Sequence, residues 1–126
     1  MLLQPTETEF AAGIPFLRSK VGVSMDTVNI TGDDIEADGD GKKSYAIGTV
    51  LYKKTDVFYK IITSGDGTIM VENREFAILA ELADVTDGDG SFKAVKTAAN
   101  VREAQLTPTL TAGDKAILRH QFQVIS

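Results

Sequence analysis

From residue 21 onward, apolar and polar residues alternate with a period of two. Val21, Val23 and Met25 fall on one side and Gly22, Ser24 and Asp26 on the other, as in a strand with one buried face. Val28 and Ile30 continue the alternation with opposite parity, which predicts a bulge or turn near Asp26-Thr27. Residues 31–43 are dense in Gly and Asp and predict a surface loop. Residues 44–52 and 57–63 are nearly continuous in Tyr, Ile, Val, Phe and Leu. Between them, Lys53-Lys54-Thr55-Asp56 has the length of a hairpin connection, so the two strands are expected to be antiparallel. Ser64-Gly65-Asp66-Gly67 signals a turn, with a short strand over residues 68–71 behind it.

Residues 76–85 are the most apolar element. Phe76, Ile78, Ala80 and Leu82 alternate against Ala77, Leu79, Glu81 and Ala83. Composition alone permits a helix; a strand is preferred because residues 92–101, after the Asp87-Gly88-Asp89-Gly90 turn, then form a second hairpin with it. Only Thr111-Ala112-Gly113-Asp114 has good helix punctuation, with a capping hydroxyl and a carboxylate three residues later. A helix over residues 115–120 follows, with Arg119 and His120 at the negative end of its dipole, and then a last strand over residues 121–125. Residues 1–20 scatter Leu2, Leu3, Phe10, Ile14, Phe16 and Leu17 among Pro5, Gly13 and Pro15, which argues against a long helix. They predict an extended arm whose apolar residues are covered by something. The expected protein is mainly β, with one short C-terminal helix, an arm over residues 1–20 and a single β-rich domain over residues 21–126.

Composition narrows the function. A chain of 126 residues encloses one core with little surplus, and 43% hydrophobic with 25% charged residues suits a folded domain. The net charge of -5, with no run of Lys or Arg longer than two, argues against direct nucleic-acid binding. The lack of cysteine excludes disulfides, thiolate metal sites and cysteine nucleophiles. Residues 1–7 lack the basic and apolar regions of a secretory signal, and no apolar stretch approaches the roughly 18 residues of a membrane span. A soluble protein made in the cytoplasm is expected.

Candidate chemistry is sparse. His120 is the single histidine and no G-x-S-x-G pattern accompanies it, so it reads as a structural or surface residue. Asp34, Glu36, Asp38 and Gly39 match the opening of a calcium loop, but its twelfth position is Tyr45 where a bidentate Glu is needed. Asp84, Asp87 and Asp89 are explained by a hairpin turn. Gly39-Asp40-Gly41-Lys42-Lys43 lacks phosphate-loop spacing. Tyr45, Tyr52, Phe58 and Tyr59 alternate with aliphatic residues and read as core. No catalytic residue, metal ligand or cofactor is assigned, which leaves binding through surface shape and makes an enzyme a poor expectation.

The order of segments is distinctive. Ala46-Ile47-Gly48-Thr49-Val50-Leu51 resembles the "G-T-V-L" strand of the lambda-type bacteriophage head decoration proteins. The run from Ala77 to Asp89 is similar to that family's apolar strand and its acidic D-x-T-D-G-D turn. Ala94-Val95-Lys96, Asn100-Val101 and Ala104-Gln105-Leu106 resemble its next strand and "V-N-x-x-x-L" segment, before a terminal helix and strand. The resemblance covers residues 44–126; Ala98-Ala99 and His120-Gln121 depart from the family pattern, and residues 1–43 do not align with it. It implies a compact β-clip-like fold and a homotrimer on the outer surface of the virion capsid. The implied partner is the major capsid protein, with no direct nucleic acid and no membrane. It also implies arms that reach the capsid, for which Phe10, Ile14, Pro15, Phe16 and Leu17 are the expected capsid-binding residues. The alternative is a carbohydrate- or calcium-binding β-module of a virion or secreted protein, working through the Asp-rich loop and the tyrosines.

Overall fold

Apolar residues on both sides of the central strands call for two cores. The computed structural model, which describes residues 14–62 and 75–126, supplies them. Its strands are β1 (Ser24–Ile30), β2 (Ser44–Tyr45), β3 (Val50–Lys53), β4 (Tyr59–Ile61), β5 (Phe76–Leu79), β6 (Ala83–Asp84), β7 (Gly90–Val101) and β8 (Phe122–Ile125), with one α-helix, α1 (Ala112–Leu118). Single 3-10 turns cover Gly32–Asp34 and Glu103–Gln105. Among the described residues the protein is mainly β, with one α-helix, near the C-terminus. The expected turn at residues 64–67 and strand at 68–71 lie outside the described residues.

The main sheet has the order β1-β7-β5-β3-β4, with β8 also beside β7. Its pairs are antiparallel except β7 with β8, which is parallel. An isolated parallel bridge between Asn29 of β1 and Phe58, the residue before β4, brings the two ends of that order together, so the sheet curls into a small barrel. Alternate residues divide between the two sides. Leu51, Ala77, Leu79 and Ala94 pack inside with Val28, Ile30, Tyr59 and Val85. Val50, Tyr52, Phe76, Ile78 and Val95 pack outside, beneath Leu106, Leu110, Leu118, Phe122 and Ile125. The alanines leave room for the tight curl.

The first hairpin forms as expected, β3 with β4; β5 pairs antiparallel with β7 as expected, but β6 lies between them in the chain and pairs with β2, so the two are not joined as a hairpin. Two long strands are shorter than the sequence suggested. Residues 44–52 break at Gly48 and residues 76–85 break after Leu79, because β3–β5 belongs to the barrel whereas β2–β6 leaves it as a separate two-stranded flap. Gly48 has φ +92, and a Cβ there would lie 2.2 Å from the Gln105 carbonyl oxygen. Only glycine fits that conformation and approach.

The expected bulge falls on the partner strand. Ser24 pairs with Thr97 and Met25 with Val95, so the additional residue is Lys96 in β7. The parity change in β1 needs no bulge of its own: Val23 and Met25 pack on the outer core, Val28 and Ile30 in the inner one.

Helix α1 starts at Ala112, three residues earlier than expected, and ends at Leu118. Thr111 and Asp114 form the reciprocal capping box, with the Asp114 N–H donating to Thr111 Oγ1 at 3.1 Å and the Thr111 N–H donating to Asp114 Oδ2 at 3.0 Å. Arg119 caps the C-terminus, and His120 lies beyond the helix.

Candidate functional site

The expected capsid-binding residues divide. Ile14, Phe16 and Leu17 are 5%, 0% and 4% exposed and belong to the outer core; Pro15 is exposed. Phe10 lies outside the described residues. The main chain of this segment pairs with β7: Leu17 bridges Val101, Arg102 N–H donates to the Phe16 carbonyl at 2.7 Å, and Arg18 N–H donates to that of Asn100 at 3.2 Å. Ala99 N–H donates to the Val21 carbonyl at 3.0 Å. Residues 14–21 therefore continue along the β7 edge that β1 occupies earlier. This corrects the arm reading for residues 14–20: a covered apolar segment is what the sequence called for, and the cover is the chain's own sheet.

Two carboxylates of the Asp-rich loop, Asp38 and Asp34, are engaged within the chain. Asp38 Oδ1 accepts the N–H groups of Asp40 (2.8 Å) and Lys42 (3.0 Å), and these hold its pKa below the ordinary value. Asp34 accepts from Lys54 Nζ at 2.7 Å, which holds the Lys54 pKa up. Asp89 Oδ1 accepts the Gly32 N–H at 3.2 Å and ties this loop to the 84–89 turn. Asp84 is held low by the Thr86 hydroxyl and N–H. Asp84, Asp87, Gly88 and Asp89 line an open depression of about 340 Å³. Among the described residues, no three His, Asp or Glu side chains are grouped to hold a metal ion.

A polar cluster on the barrel is better built. Tyr59, buried among the inner-core residues, donates its hydroxyl proton to Glu75 Oε2. Lys96 Nζ lies 2.6 Å from the same oxygen, 2.5 Å from the Tyr59 hydroxyl and 4.8 Å from the centre of its ring. Lys53 approaches Glu75 Oε1 at 3.6 Å. Hydrogen bonds from Lys96 and then Tyr59 lower the Glu75 pKa to about 2, against the opposing effect of burial. Burial, followed by the bond to Glu75, raises that of Tyr59. Each group is engaged by the others, so the arrangement satisfies a buried phenol and leaves no activated nucleophile. Sequence patterning carries no signal for it, because Lys96 shares β7 with a second lysine, Lys93.

A second polar device holds the C-terminal strand. Gln121 donates Nε2–H to the carbonyls of Phe76 (2.7 Å) and Lys96 (2.9 Å) and accepts the Phe76 N–H at 2.9 Å. β7 exchanges β5 for β8 as its neighbour here, and the side-chain amide fills the gap in the ladder.

Of the surface apolar residues, Val21, Ile47, Val57, Leu82 and Val124 are the most exposed. Ile47 and Leu82 follow β2 and precede β6, at the base of the flap. Among the described residues, no helix is long and apolar enough to cross a membrane.

No family model, curated protein or solved structure matches the chain.

Proposed function

We propose that this protein is a bacteriophage capsid decoration protein that binds the major capsid protein of the expanded head as a homotrimer and stabilises it against internal DNA pressure. The observation that carries the reading is the shared order of segments from Ala46-Ile47-Gly48-Thr49-Val50-Leu51 through the Thr86-Asp87-Gly88-Asp89 turn to the terminal helix and strand. The mainly β architecture with one C-terminal helix is compatible with it. Ile14, Phe16 and Leu17 are occupied in the core, so the capsid contact is assigned to residues 1–13 and to exposed apolar residues such as Ile47 and Leu82. Three weak contacts on one trimer act together through high effective concentration. A protein that binds only the expanded lattice stabilises that lattice by mass action.

Calorimetry of expanded heads tests the proposal. Saturating protein is expected to raise the temperature at which the heads disrupt, in proportion to occupancy. An unchanged transition at saturation contradicts the proposal.

A further inference from the structure

Charge is divided along β7. Asp33, Asp84, Asp87 and Asp89 are exposed around its first residues, where Asp89 accepts the Gly32 N–H. The 12 residues of β7 span roughly 30 Å, and cations gather at the other end. Arg102 follows the last residue of β7 and its N–H donates to the Phe16 carbonyl, while the Arg18 N–H donates to that of Asn100. Lys20 precedes Val21, whose carbonyl accepts the Ala99 N–H. Arg119 lies one helical turn beyond Lys115, and Lys115 reaches Glu103 at 3.1 Å.

Arg18, Lys20, Arg102 and Arg119 are all exposed, with Val21 (63%) and Val124 (45%) beside them. Arg18 also donates to the Ser126 carbonyl at 3.2 Å. Glu103 is neutralised by Lys115, and among the described residues no Asp or Glu side chain pairs with the other four cations. Residues 1–13, to which the capsid contact is assigned, join the described chain at this same end, at Ile14.

We infer that Arg18, Lys20, Arg102 and Arg119 form a second capsid contact around the root of residues 1–13, which takes a carboxylate-bearing surface of the major capsid protein and covers Val21 and Val124. This contact rests on the decoration function proposed above. Arginine engages carboxylates through paired hydrogen bonds, and the divided charge steers the molecule so that its cationic end leads. The acidic end of a second copy has the right charge too, but contacts between opposite ends of a molecule build open chains and not a closed trimer. A nucleic acid would meet the repulsion of a chain whose net charge is -5.

The test is titration of expanded phage heads with the intact protein at several salt concentrations, with bound protein read by co-sedimentation. Wild-type binding is expected to weaken steadily with added salt. Arg102→Glu and Arg119→Glu are each expected to weaken it about fivefold or more at low salt, with unchanged circular dichroism and a shallower salt dependence. Lys42→Glu makes the same charge change beside the acidic end and is expected to bind as the wild type does. Salt-independent binding, unchanged binding of both arginine variants, or an equal loss in Lys42→Glu each overturns the inference and leaves the decoration function standing. A wild-type protein that binds no heads at any salt overturns both. Displacement of the bound protein by single-stranded oligothymidylate assigns the surface to nucleic acid and likewise overturns the inference.

Discussion

Phe16 and Pro15 are neighbours with opposite fates. Phe16 has no exposed surface, and Phe16→Ala is expected to cost about 3–5 kcal/mol, measured by denaturant unfolding. Pro15→Ala, at an exposed position, is expected to stay within about 0.5 kcal/mol. Hydrophobicity made Ile14, Phe16 and Leu17 legible as residues needing cover, but sequence does not distinguish a partner's surface from the chain's own. The Tyr59-Glu75-Lys96 cluster was illegible because its members come from segments far apart in the chain, β4, the residue before β5, and β7. It gives a pH prediction with a definite sign. The Glu75 pKa falls from 4.5 to about 2 on folding, so its contribution is full above pH 4.5 and is lost as pH falls toward 2. Melting temperature followed through that window is expected to fall less steeply in Glu75→Gln than in the parent.

At the level of elements, the near-continuous apolar runs of β3 and β5 mark strands, and the reason for their density is that both faces are buried. Where those runs break was not legible, because Gly48 is fixed by the approach of Gln105 from a distant part of the chain. The helix boundary was legible at its cap, where Thr111 and Asp114 satisfy the first-turn N–H groups. Gln121 had no sequence signature: its role exists only because β7 changes neighbours beside it. Gln121→Ala leaves the Phe76 main chain and the Lys96 carbonyl without these bonds. It is expected to cost about 1–3 kcal/mol and to speed hydrogen exchange at the Phe76 amide, observable by NMR.

At the scale of the whole molecule, the sequence expectation of a mainly β protein with one late helix matches the architecture, and the division into arm and domain does not hold for residues 14–20. Those residues pack against β7, with Leu17 bridging Val101, which places the proposed capsid contact nearer the N-terminus. The proposed trimer predicts a light-scattering mass near three times 13.5 kDa at high concentration, whereas a purely monomeric species would argue against it. The function itself is tested most directly by co-sedimentation of the full chain, and of a variant lacking residues 1–13, with expanded phage heads. The account predicts that the full chain pellets with the heads and that the truncated chain, its core residues retained, stays largely in the supernatant. A full chain that fails to pellet contradicts the proposed function, and a truncated chain that binds unchanged contradicts the assignment of the contact to residues 1–13.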